Sequence, residues 1–368
     1  PRRSVPQEVT GKRSGFGFAI FFGNSAGELI ETRGSTKMSQ DILVALDPFA
    51  KDQTSLKKAM ATTKNLADAL DASIDPISVV SPDQLNWPTR FDGTWASQFE
   101  IAARSGLKKV AASTGLKASK IEILSQPVHS LKASVTALVE EAEKRKPTAI
   151  AVFTHHRKSP GFRIFGTFAT ALLSKSPLPL FFVNAKAKEI RTFKRILFAT
   201  DFTAESERAF EKVVAMASEM RAEVILFHAL VPVTSEVYAS VGLMGVANYE
   251  AYLRDEEADS TKEAKRWIEK AQAAGVKADF ALHHASFRAS DAILDSARKL
   301  KADMITVCSK TTGAALVILG SVTRDLIEGS KLPIMVIPAA AVSADAKTSR
   351  ATRDRRGARA QSAPSPAR

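Results

Sequence analysis

The chain repeats itself. Aligned at a constant offset of 154, Asp47 falls on Asp201, Thr154 on Cys308, Gly166 on Gly320, Thr167 on Ser321 and Pro179 on Pro333. Five landmarks in register mark an internal duplication, and each copy, at roughly 145 residues, is the size of a domain. Whatever this chain folds into must be something that can be built twice.

The apolar runs say what is built. In the first copy they are DILVALD (41–47), DPISVV (75–80), KIEIL (120–124), AIAVF (149–153) and LPLFFV (178–183). The second copy answers with RILFATD (195–201), EVILFHAL (223–230), ADFALH (278–283), DMITVC (303–308) and LPIMVI (332–337). Between them lie helical patterns, such as Phe210, Val213, Val214 and Ala217 at i, i+3, i+4 and i+7. Near-continuous apolar strands alternating with helices predict buried parallel sheet built from βαβ units. The fold class is therefore α/β, with two tandem domains at 40–185 and 193–338, joined by the polar linker NAKAKEIRTFK (184–194). The first copy carries an extra segment, SPDQLNWPTRFDGTWASQ (81–98), after its second strand. It reads as a cover over core or a homodimer contact rather than a lid.

Charge is uneven. Of the net +13, residues 1–37 carry +3 and residues 339–368 carry +5, which leaves an ordinary +5 on the body. The basic tail has almost no large apolar residues and is expected to be disordered; lacking interleaved aromatics, it makes a weak case for nucleic-acid contact. Met38 is the first methionine, and residues 1–37 read as an upstream extension. No apolar run approaches the ~20 residues of a membrane span. The single cysteine, Cys308, rules out an intramolecular disulfide and suits a reducing, cytoplasmic setting.

In the second copy, KRILFATDFTAESERAFEKVVAMASEMRAEVILFHAL, ASDAILDSARKLKADMITVCSK and LGSVTRDLIEGSKLPIMVI resemble the universal stress protein family in order and spacing. The first copy resembles it more weakly, through DILVALD, ALVEEAEKRKPTAIAVF and FGTFATALLSKSPLPLFFV. The resemblance implies an open five-stranded parallel sheet in each domain with helices on both faces, Rossmann-like and similar to the adenine-nucleotide alpha-hydrolases. It further implies that two domains pair through their last strands, which tandem fusion would supply as an internal pseudo-dimer.

In ATP-binding members an Asp closing the first strand meets adenine, and a loop of the form Gly, two residues, Gly, nine residues, Gly-Ser/Thr holds ribose and phosphates. Carried over by position, Asp47 and Asp201 take the Asp role, and Gly166-Thr167 and Gly320-Ser321 the final step. In the second domain Ala199, Thr200, Cys308, Ser309, Lys310, Val322 and Thr323 would flank the ligand, ATP with Mg²⁺.

The earlier loop glycines are missing. Counted back from Gly320 they fall at Val307 and Lys310; aligned on strand ends they fall at Cys308 and Thr311, with the loop one residue short. In the first copy the positions are Phe153 and His156, or Thr154 and Arg157. A Cβ there resists positive φ and takes space that phosphate oxygens need. Arg157, Lys158, Arg163 and Lys310 offer cations in compensation.

Other chemistry finds little support. His155-His156 and His283-His284 are neighbours in extended segments, so each pair points to opposite faces and does not share a metal. His228 reads as a satisfied strand histidine and Cys308 as a buried structural thiol. No GxxxxGK[ST], complete GxGxxG or Gly-x-Ser-x-Gly is present. The expected function is nucleotide binding or sensing in a stress response, centred on the second domain and without turnover. The alternative is a ligand-free scaffold of the same fold that recruits protein or nucleic acid.

Overall fold

The computed structural model describes residues 41–50, 52–80, 93–115, 121–125, 130–154, 167–184, 186–230, 246–284, 288–309 and 321–339. All ten expected strands are present: β1 Asp41–Ala45, β2 Ser73–Val80, β3 Glu122–Ser125, β4 Ala149–Thr154 and β5 Leu180–Asn184, then β6 Arg195–Ala199, β7 Glu223–Leu230, β8 Ala278–His284, β9 Met304–Ser309 and β10 Ile334–Pro338. The first half's helices are α1 Gln53–Ala69, α2 Gly93–Thr114, α3 Leu131–Arg145 and α4 Thr167–Lys175. Those of the second half are α5 Ala204–Met220, α6 Val246–Ala273, α7 Ala289–Lys299 and α8 Ser321–Gly329. The tail of the extra segment, residues 93–98, is not loop but the opening of α2.

Each half is a five-stranded parallel sheet, and the two fuse into one sheet of order β3-β2-β1-β4-β5-β10-β9-β6-β7-β8. The seam is antiparallel, with Met335 opposite Phe181. Strand sequences here are apolar at nearly every position because helices cover both faces. One face is packed by α1 and α2 with α5 and α6, around Met60, Leu107, Phe210 and Trp267; its core runs unbroken across the seam. The other is packed by α3, α4, α7 and α8, around Leu138, Leu172, Ile293 and Leu326.

The linker is part of the structure. Phe193 and Ala187 are buried, Ile190 donates its N–H to Thr62 Oγ1, and its carbonyl accepts from Asn65 Nδ2. Asn184, ending β5, sends its side-chain amide across the seam to the carbonyls of Ile327 and Glu328, at 3.1 Å each.

One landmark of the repeat moves. Ile42 pairs with Ala149, and its counterpart Ile196 pairs with Met304, so β4 and β9 correspond at an offset of 155. Thr154 therefore matches Ser309, and Cys308 matches Phe153. The second copy has one more residue before its fourth strand and one fewer in the following loop, 310–320 against 155–166, so the Gly-Ser/Thr landmarks fall back into register.

Candidate functional site

In each half the chain winds outward from its first strand, then reverses: β6, β7, β8 run one way and β9, β10 the other. At such a switch point the helices leave on opposite faces and a cleft opens beyond the carboxyl ends of the two central strands. In the second half those strands are β6 and β9, with Ala199 abreast of Val307. Thr200 and Asp201 leave β6 where Cys308 and Ser309 end β9, so five of the expected site residues lie together at the carboxyl ends of these two strands. Val307 itself is 5 % exposed and packed in core.

The Asp201 turn is tightly held. Its Oδ1 accepts from Ser206 Oγ at 2.6 Å, from Thr203 Oγ1 at 2.8 Å and from the Thr203 N–H at 3.3 Å. Thr203 is also the N-cap of α5, its hydroxyl accepting from the Ser206 N–H. The carboxylate is thus anchored at the positive end of a helix, where negative charge is favoured. Phe202, between them, has φ 54°, a conformation that crowds a side chain against its own backbone. It is held there by an N–H donated to Thr200 Oγ1 at 2.9 Å and by ring contacts with Trp267 at 5.2 Å, His228 at 5.3 Å and Phe280 at 6.1 Å. His228 on β7 reaches the turn after β6, its Nδ1 lying 2.8 Å from the Thr200 carbonyl, an acceptor, so that nitrogen carries a proton.

The corresponding turn of the first half is built differently. Pro48 stands where Phe202 stands, and its ring fixes φ near −65°. The turn is longer: α5 begins three residues after Asp201, whereas α1 begins six after Asp47. Asp52, not a residue beside Asp47, caps α1 by accepting from the Ser55 N–H at 3.0 Å, while Asp47 Oδ1 accepts from the Phe49 N–H at 2.9 Å. Helix α2 also presses on this turn. A Cβ on Gly106 would lie 2.3 Å from the Pro48 carbonyl oxygen, and Phe49 stacks on Phe99 at 5.3 Å. In the second half the helix meets the turn through side chains, Trp267 on Phe202. Sequence reasoning gave both aspartates the same role while favouring the second copy; the proline after Asp47 was the available signal that their turns differ.

Ser321, Val322 and Thr323 form the first turn of α8. Ser321 is exposed, Val322 half-buried, and Thr323 buried on the core side with Leu326 and Ile327. The first-turn amides of such a helix have no intrahelical acceptor and point toward the strand ends, an arrangement suited to anions. Thr167 opens α4 in the same way. Gly166, Gly320 and Lys310, Gly161, Gly313, His155 and His156, residues 81–92, the tail beyond 339 and residues 1–37 lie outside the described residues. Cys308 is half-buried, its Sγ 3.8 Å from the Ser309 carbonyl. Among the described residues no three His, Cys, Asp or Glu side chains gather as a metal would need, and no helix is long and apolar enough to cross a membrane.

The arrangement offers an anchored carboxylate able to accept from an amino group, and a helix amino end able to receive phosphate. It fits an adenine nucleotide in kind; Mg²⁺ would be carried by the phosphates and water rather than by a protein cage.

The profile of the universal stress protein family matches twice, at residues 38–184 and 192–338. A universal stress protein from Archaeoglobus fulgidus DSM 4304 superposes with a TM-score of 0.58 at 18 % identity, covering 82 % of this chain and 97 % of its own. A protein from Pseudomonas aeruginosa UCBPP-PA14, described as a universal stress protein, gives 0.47 at 15 % identity, over 83 % and 95 %. A universal stress protein from Archaeoglobus fulgidus solved in complex with dAMP gives 0.29 at 18 % identity, over 39 % and 97 %. No curated protein matches the chain.

Proposed function

This chain belongs to the universal stress protein family, in tandem form, and from that premise we propose that it binds ATP as a stress-response sensor through its second half, without turnover. Adenine would sit against Asp201, its amino group donating to the carboxylate, with phosphates toward Gly320-Ser321 and the amino end of α8. The observation that carries the reading is the anchored Asp201 carboxylate at the switch-point cleft. The first half has the cleft but not the turn, so its Asp47 is assigned a structural part.

The test is calorimetry of the full chain with ATP and Mg²⁺, after any co-purified nucleotide has been stripped. One site per chain with a Kd in the micromolar range, about −8 kcal/mol, is expected. Asp201→Ala and Ser321→Ala should each weaken it about tenfold or more, which is the loss of roughly one charge-assisted hydrogen bond, while Asp47→Ala leaves it unchanged. Affinity indifferent to Asp201→Ala and Ser321→Ala sinks the assignment. An absence of heat favours the scaffold reading, for which the missing loop glycines are the motive.

A further inference from the structure

The other end of the second half has its own cavity. At the amino ends of β6, β7 and β9 a groove of about 750 Å³ opens, a volume in the range of small-ligand sites. It lies a strand's length, roughly 17 Å, from the Asp201 cleft. Five cations line it: Lys194, Arg195, Arg221, Lys277 and Lys301. The two acids present, Glu223 and Asp303, are already engaged. Glu223 pairs with Arg195 and, at 2.9 Å, with Lys277. Asp303 Oδ2 accepts the backbone N–H groups of Lys194 and Arg195 at 2.8 and 2.9 Å. The side chains of Lys194, Arg221 and Lys301 have no partner among the described residues.

Part of this charge answers the carbonyl ends of α5, α6 and α7, which converge here, each equivalent to about half a negative charge. Five cations against two acids exceed that. The other copy shows the excess is not a requirement of the fold. A groove of about 660 Å³ beside β1, β2 and β3, lined by Asp41, Asp75 and Glu122 with Arg104 and Arg145, shares only the Asp41 position with the groove of the second half. Asp41 stands where Arg195 stands, and Asp71, with φ 50°, where Arg221 stands, with φ 53°. Two cations of the second copy are thus acids in the first, while Lys146, with φ 54°, keeps the charge of Lys301.

We infer that the amino-end groove of the second half is a binding site for a small polyanion bearing several phosphate groups, separate from the nucleotide cleft. Unpaired ammonium and guanidinium groups around a concave site recognise phosphate by charge-assisted hydrogen bonds.

The backbone supplies a clean test. Arg221 and Lys301 both occupy the left-handed region, φ 53° each, where glycine is the unstrained residue. Arg221→Gly with Lys301→Gly therefore removes two charges while easing the backbone. Inorganic tripolyphosphate is titrated calorimetrically into the full chain, the double variant and Ser321→Ala, with unfolding temperatures measured in parallel. Binding by the parent chain and by Ser321→Ala, weakened at least about tenfold in the glycine variant with no fall in unfolding temperature, is the expected result. Should that variant unfold early, Lys194→Gln with Lys277→Gln takes its place under the same criterion. No binding by the parent chain, or equal binding after either pair of substitutions, overturns the inference. Loss in Ser321→Ala instead overturns it too, by moving the anion to the other end of the sheet.

Discussion

Phe202 is a residue whose conformation and packing pull in opposite directions. Replacing it by glycine would relieve about 1 kcal/mol of left-handed strain. It would also remove a ring wedged against Trp267, His228 and Phe280, worth about 3 kcal/mol. The lost packing outweighs the relieved strain, so Phe202→Gly should destabilise by about 2 kcal/mol in urea denaturation; a neutral result would mean the ring contributes little. Gly106 presents the converse case. Glycine inside a helix ordinarily loses to alanine by about 1 kcal/mol, but here a methyl group would meet the Pro48 carbonyl. Gly106→Ala should therefore cost about 1–3 kcal/mol, and a rise in melting temperature would contradict the close approach. Neither feature was legible beforehand. Phenylalanine carries no sign of positive φ, and a helical glycine does not announce what lies beside it. Asp201 was legible as a candidate through the family resemblance, which sets an Asp at the end of the first strand, but the three donors that anchor it become apparent only when α5 starts at Ala204.

The strands were readable for a physical reason: a parallel strand covered on both faces is apolar along its whole length, so ten runs stood out. Correspondence between copies was less secure. The landmarks Ser321 and Pro333 keep the offset of 154 from Thr167 and Pro179, yet β9 sits one residue off because an extra residue before it is offset by a shorter loop after it. Composition has no way to display a compensated shift; strand pairing does. Between helices, α5 and α6 are clipped by Glu207, which accepts from Arg266 at 2.6 Å and from Lys270. The Arg266 guanidinium, and then Lys270, hold the Glu207 carboxyl down at about 2, against 4.5 ordinarily. A carboxyl lowered on folding stabilises fully above its unfolded value and loses that contribution as pH falls through the folded one. Since both cations are well exposed, screening limits the clip to about 1 kcal/mol. Denaturation of the parent and Glu207→Gln should differ by that amount at pH 6 and converge between pH 4.5 and 2. A gap independent of pH would assign the difference to packing.

At the scale of the whole molecule the seam decides cooperativity. Core on one face runs through it, the linker is packed, and Asn184 reaches from β5 to the last carbonyls of α8. Asn184→Ala would leave those carbonyls short of two donors, at about 1–3 kcal/mol, and should lower the midpoint of a single unfolding transition. Two separate transitions in the parent chain would show instead that the halves unfold independently. Because β5 and β10 meet antiparallel, the seam is also an approximate dyad normal to the sheet. In an assembly of two identical chains about such an axis, every substitution appears twice, and neither copy can change without the other. Joining the copies in one polypeptide lifts that constraint. Pro48 opposite Phe202, and Asp71 opposite Arg221, are differences that only a fused pair can accumulate, one half changing while the other stays as it was.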